Sequence, residues 1–164
     1  EINFIERLKS GVHLVITGGE PLLQQKRIIA FLNYLQLNYN CEPILEIETN
    51  ATIIPEPELE EKVHYWNTSP KLSNSGMPRK ERIKIPALRF FANNIKTMSK
   101  FVIADIKDFE ELWSDFVDAK LANEKQIVLM PAADSLEQLL EQNKMVADLC
   151  MKYQLRKLRF LESC

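Results

Sequence analysis

The sequence predicts an α/β fold: one domain, with a parallel open sheet or partial barrel and helices outside it. Three observations carry this reading. Short apolar runs alternate with longer segments of helical periodicity along the whole chain, which implies parallel strands joined by right-handed crossovers. The length, 164 residues, fits one domain and is too short for a closed eight-stranded barrel. Polar clusters follow three of the strand-like runs, and in a parallel sheet all strand C-termini lie on one edge.

Residues 1–9 predict a helix with Phe4, Ile5 and Leu8 on one face, and 12–16 a buried, β-branched strand. Residues 21–37 predict a helix with Leu22, Ile28, Phe31, Leu32 and Leu35 at helical spacing. Residues 43–49 alternate around Ile44, Leu45 and Ile47 as a strand. A short acidic helix is expected over 55–62, a strand over 63–67 and a loop over 72–80. Residues 87–92 are weakly helical and 100–104 form a strand. A helix over 108–121 carries Phe109, Leu112, Trp113 and Phe116, and a strand over 126–130 is stopped by Pro131. The clearest helix is 135–153, with a stripe of Leu136, Leu139, Leu140, Val146, Leu149, Cys150 and Tyr153. Ser135 and Gln138 form its capping box.

The composition, 46% hydrophobic and 27% charged, is ordinary for a soluble globular protein. A net charge of -2 gives no electrostatic reason to expect nucleic acid or an anionic membrane as a direct partner. No apolar run is long enough to span a bilayer, and no signal-peptide pattern is present. Cys41, Cys150 and Cys164 are scattered and odd in number, which argues against a disulfide framework and for a reducing cytoplasm. His13 and His64 read as packed or edge histidines on strands, and the basic run Arg79, Lys80, Arg82, Lys84 as a solvated loop face. The chain opens at Glu1 inside a helix and stops at Cys164 after a β-like run. Both ends read as cut, so residues 1–164 are expected to be a single domain that is a fragment of a larger core.

The polar clusters are Thr17-Gly18-Gly19-Glu20-Pro21, Glu48-Thr49-Asn50 and Ser69-Pro70-Lys71. Two glycines let a ligand approach the backbone, Glu20 adds a carboxylate, and Pro21 starts a helix as its first residue. The cluster suits a ligand carrying an amino group. Each cluster alone also has a plain reading: a strand-to-helix connection, a solvated acid, a surface lysine. Three at successive strand ends would converge on one crevice.

The segments 15–24 (VITGGEPLLQ), 46–52 (EIETNAT) and 67–76 (NTSPKLSNSG) resemble the 7-carboxy-7-deazaguanine synthases, a radical SAM family. So do 100–105 and 128–132, and the likeness runs to about Arg156. The resemblance implies a radical SAM partial (β/α) barrel, here truncated at the N-terminus and the C-terminus. It implies the ring contraction of 6-carboxy-5,6,7,8-tetrahydropterin to 7-carboxy-7-deazaguanine with loss of ammonia, on the route to queuosine and tRNA modification. The implied cofactors are S-adenosyl-L-methionine (SAM), a 4Fe-4S cluster and magnesium, in a cytoplasmic homodimer. Position by position it implies SAM contacts from Gly18, Gly19, Glu20, Glu48, Asn50, Ser69, Pro70, Lys71 and Met130. It implies substrate contacts from Thr17 and Pro131.

The chain departs from that pattern in three places. The cysteine loop that would hold the cluster is absent, and so is the magnesium ligand expected near it. No metal ligand is therefore assigned in this chain, and no catalytic residue is identified. Residues 157–164 read KLRFLESC where the family continues with an Arg-Leu-His strand. The expectation is a chain that keeps much of the SAM-facing edge, is inactive alone, and is poorly soluble or self-associates because its sheet edge is exposed. The alternatives are another radical SAM protein, such as a glycyl-radical-activating enzyme, or a non-catalytic relic or subunit whose partner carries the cluster.

Overall fold

The computed structural model describes residues 3–132 and 135–153. The expectations for Glu1, Arg156, Cys164 and the 157–164 segment lie outside the described residues, as does that for the Leu136 side chain.

Helix α1 (Phe4–Lys9) is capped by Asn3, whose Oδ1 accepts from Ile5 N at 3.0 Å. Strand β1 (Leu14–Ile16) follows. Pro21–Gln24 then makes a 3-10 turn, and α2 (Gln25–Tyr39) continues from it. Helix α2 closes on Asn40 at φ 48, a left-handed cap that Asn tolerates. Next come β2 (Leu45–Thr49), α3 (Pro57–Lys62) and β3 (Tyr65–Thr68). A 3-10 turn (Ser73–Ser75), α4 (Arg79–Arg82) and α5 (Ile85–Asn93) lead to β4 (Thr97–Ile103). Helix α6 (Ile106–Glu111) runs into a π-helical segment (Leu112–Val117), followed by β5 (Ile127–Pro131) and α7 (Leu136–Lys152).

The five strands form one all-parallel sheet in the order β1-β2-β3-β4-β5. Spatial order equals chain order, so each crossover steps one strand the same way. Strand side chains alternate between faces. One face carries Leu45, Ile47, Trp66, Phe101, Ile103 and Leu129, which pack in one core with Leu32, Leu59, Leu88, Phe91, Phe116 and Val146 from the helical connections. Trp66 is fully buried, edge-on to Phe91 at 5.4 Å. Side chains of this size stabilise by about 1.5–3 kcal/mol each on burial. The opposite face carries Glu46, Glu48, Asn67, Met98 and Lys100, none fully buried. This is a helix-backed sheet with a polar inner surface, the plan of a partial barrel.

Several local expectations are corrected. The 12–16 strand is an edge, not a buried strand: among the described residues β1 pairs with β2 alone, and Val12 and Val15 are 42% and 47% exposed. Residues 72–80 contain the Ser73–Ser75 turn and the start of α4, not only loop. Of the basic run, Arg79, Lys80 and Lys84 are exposed as expected, but Arg82 is buried in an ion pair with Glu111, and the exposed Arg79 pairs with Asp115. The 108–121 helix starts earlier, because Asp105 caps α6 in a capping box with Asp108, and its π-helical part ends at Val117. Pro131 ends β5 from within. Its missing N–H is tolerated at a strand terminus. On α7, Leu140 is 66% exposed and Tyr153 38%, so the buried stripe narrows to Val146, Leu149 and Cys150, with Leu139 half-buried. Phe31 on α2 is 39% exposed. His13 and His64 precede their strands instead of lying within them.

Candidate functional site

The C-terminal edge of the sheet is built around one carboxylate. Glu20 ends the turn after β1 and caps the 3-10 turn: Oε1 accepts from Leu22 N at 3.1 Å. The same oxygen accepts from Thr49 Oγ1 at 2.7 Å, and Oε2 accepts from Asn50 N at 2.8 Å. Glu20 therefore locks the β1 turn to the end of β2. A carboxylate offers about four acceptor positions, so these three bonds leave one, on Oε2. Gly18 and Gly19 adopt φ 100 and 52, and a Cβ at either would meet nothing within 4 Å. The glycines are needed for backbone conformation, and the space beside them is open.

Asn50 turns the chain after β2: its Oδ1 accepts from Thr52 N at 3.0 Å and Thr52 Oγ1 at 2.6 Å. Ala51 follows at φ 61, fully buried. At the end of β3, Ser69 N donates to Thr49 O at 2.7 Å, so the ladder continues past the strand. Lys71 Nζ donates to Ser69 Oγ at 3.2 Å. The loop beyond is tied down by α6 and β4. Ser73 N donates to both Glu111 oxygens, at 3.2 and 3.0 Å, and Asn74 Nδ2 donates to Val102 O and Asp108 Oδ2, at 3.1 and 2.8 Å. Arg82 Nη1 donates to Lys71 O at 3.3 Å. Pro70 is buried between these anchors.

Across the inner face, Thr17 Oγ1 donates to Glu48 Oε2 at 2.9 Å, and Lys100 Nζ reaches Glu48 Oε1 at 3.3 Å. One row lower, Asn67 Nδ2 donates to Glu46 Oε2 at 2.9 Å. His13 Nδ1 pairs with Glu46 Oε1, and the His13 ring stacks on Tyr65 at 5.6 Å. Glu46, Glu48, Asn67, Lys100, His13 and Tyr65 line a groove of ≈ 850 Å³ on the inner face, and Thr17 lies outside its lining.

The structure thus brings Thr17, Gly18, Gly19, Glu20, Glu48, Asn50 and Ser69-Pro70-Lys71 to one edge across three adjacent strands. Met130 and Pro131 belong to the same sheet but lie on β5, where they pair in register with Val102 and Ile103 on β4. Sequence reasoning missed Lys100, Glu46, Asn67 and Arg82 as parts of the site. The alternation Leu45-Glu46-Ile47-Glu48-Thr49 was the available signal for the first carboxylate row, since period two puts both glutamates on one face. Nothing in the sequence shows that Lys100 reaches across β3.

Among the described residues no group of three or more His, Cys, Asp or Glu side chains could hold a metal ion. Cys41 packs with Leu8 and Leu35, while Cys150 belongs to the main core. No helix among the described residues is long and apolar enough to cross a membrane.

No protein-family model matches the chain. Individual relatives do. The 7-carboxy-7-deazaguanine synthase of Pyrobaculum aerophilum is 37% identical over 126 residues, 77% of this chain and 52% of that protein. The synthase of Halobacterium salinarum is 29% identical over 86% of this chain and 60% of its own length. That of Clostridium acetobutylicum is 28% identical over 89% and 65%. In fold, Streptococcus suis SuiB, solved bound to S-adenosylmethionine, matches with a TM-score of 0.64 over 97% of this chain and 40% of SuiB, at 18% identity. The chain is therefore a relative of the 7-carboxy-7-deazaguanine synthases with the parallel α/β fold of a radical SAM partial barrel, and it spans between about half and two thirds of the length of the synthases it matches.

Proposed function

We propose that this chain supplies the SAM-facing and substrate-facing strand ends of a 7-carboxy-7-deazaguanine synthase. That enzyme is a lyase converting 6-carboxy-5,6,7,8-tetrahydropterin to 7-carboxy-7-deazaguanine with loss of ammonia. The observation that supports it is the Glu20 knot, which joins two glycines at positive φ to the ends of β1 and β2 and leaves one carboxylate position open. An ammonium supplies donors only, so this remaining acceptor suits the amino group of SAM. In this reading Gly18, Gly19 and Glu20 hold that amino group, and Glu48 and Asn50 face the ribose or methionyl part. Ser69, Pro70, Lys71 and Met130 complete the SAM contacts, and Thr17 and Pro131 face the pterin. When bound, SAM would supply the adenosyl radical, while these residues orient it.

The described residues fit SAM, and the two described cysteines do not fit an iron–sulfur cluster. A cluster needs neighbouring thiolates, and Cys41 and Cys150 are buried in separate packing groups. We read this chain by itself as inactive in the radical step, the working enzyme as a cytoplasmic homodimer, and its direct partners as small molecules, not nucleic acid or membrane.

Two measurements test the reading. Calorimetric titration with SAM and with the pterin should show saturable binding of each. Binding of neither overturns the proposal. Anaerobic reconstitution with iron and sulfide should leave the chain without reductive SAM cleavage, and a stoichiometric cluster with cleavage would overturn the inactivity.

A further inference from the structure

We propose that Lys100 is a positioning residue of the adenosyl site, holding the Glu48 carboxylate so that it accepts the two hydroxyls of a ribose. This rests on the reading that the strand-end edge binds SAM. Glu48 projects from β2 into the inner groove with its side chain 43% exposed. It is fixed by hydrogen bonds from both sides. Thr17, the residue just after β1, donates to Oε2 at 2.9 Å, and Lys100 on β4 donates to Oε1 at 3.3 Å.

The register makes the Lys100 contact a long reach. Glu48 lies level with Asn67 on β3, and Asn67 with Met98 on β4. Lys100 is one same-face position further toward the C-terminal edge, and its stem crosses over β3 to arrive at Glu48. A lysine suits this because its four-carbon stem is long and its ammonium is a point donor. The side chain is 19% exposed. Each Glu48 oxygen spends one acceptor position on its clamp and keeps another. The geometry points to a pre-set pair of acceptors, the chemistry that recognises a vicinal diol.

The test is calorimetric titration of the chain and its variants with SAM and with two smaller probes, adenosine and 2′,3′-dideoxyadenosine, which lacks the diol. Lys100→Met should weaken SAM and adenosine roughly tenfold, the loss of one charge-assisted contact, and leave the dideoxynucleoside within about twofold. Lys100→Arg should recover most of the affinity. Combining Lys100→Met with Glu48→Gln should cost no more than Glu48→Gln alone. Equal losses for adenosine and its dideoxy form, or no loss for SAM, overturn the inference while SAM binding by the parent chain stands. Failure of the parent chain to bind SAM removes the underlying reading as well. Circular dichroism melts identify any variant that fails to fold, and Thr17→Val, which releases the other oxygen, then carries the same diol-specific expectation.

Discussion

Arg82 reaches Glu111 from beneath the loop after β3, with Nη1 2.6 Å from Oε1 and the two side chains only 6% and 15% exposed. Glu111 also accepts from Ser73 N, and Arg82 also donates to Lys71 O. The pair therefore fastens the loop carrying Ser69, Pro70 and Lys71 to α6. The residues that matter for its shape lie far from it in sequence.

Removing one partner should be costly because it strands the other charge out of water. Arg82→Met should lose about 3 kcal/mol of stability in urea unfolding. Arg82→Met with Glu111→Gln should lose less than the sum of the single changes. Equal and additive losses would show that the two side chains act independently.

Gly18 at φ 100 sits outside the region that side-chain-bearing residues adopt, while Gly19 at φ 52 sits inside the left-handed well. Open space surrounds both, so any cost of adding a methyl group is backbone strain. Gly18→Ala should cost about 2 kcal/mol and Gly19→Ala about 1 kcal/mol. Thermal unfolding of the two variants, compared side by side, checks the order.

Burial pushes the Cys150 thiol up. The folded chain then keeps a proton that the unfolded chain releases first. This contribution is fully present below the unfolded thiol's range and is lost as pH rises through it and toward the folded value. Urea midpoints should therefore fall as pH rises above about 8, the range of a free thiol, and fall less steeply in Cys150→Ala. In the native chain Cys150 should also resist thiol reagents that label it at once in urea.

The exposed Val12 and Val15 lie beside and on β1, whose outer edge has no partner strand among the described residues. The chain should self-associate in sizing experiments, and Val15→Lys should shift it toward monomer, since a charge on an edge strand blocks pairing. A monodisperse monomer before substitution would contradict this.

The α/β alternation, the parallel sheet and the polar strand ends were legible because each rests on local periodicity and turn chemistry. Ile28, Leu32 and Leu35 on α2 and Leu45 and Ile47 on β2 are buried as their spacing requires. What was not legible depends on partners remote in sequence. Arg82 looked like one more surface cation because Glu111 lies 29 positions away. Val12–Ile16 looked buried because apolar residues at a sheet edge read the same as those in its centre. Leu140 shares the helical stripe of α7 but lies beyond what the sheet covers. The start of α6 was misread because Asp105 and Asp108 cap it jointly, and a capping box with Asp in the distal position is less conspicuous than one with Glu.

Glu20 closes the turn after β1 and also presents the open acceptor of the candidate site. The two duties cannot be separated by evolution. A lineage that had stopped binding any ligand would still be penalised for replacing it, because three donors would lose their acceptor and the turn after β1 would lose its tie to the end of β2. A library randomised at position 20 and sorted only for folding should therefore return Glu nearly as often as one sorted for ligand. Glu20 thus marks an intact scaffold, while Lys100 and Thr17, which clamp only an exposed carboxylate, are the positions free to drift once binding is no longer selected.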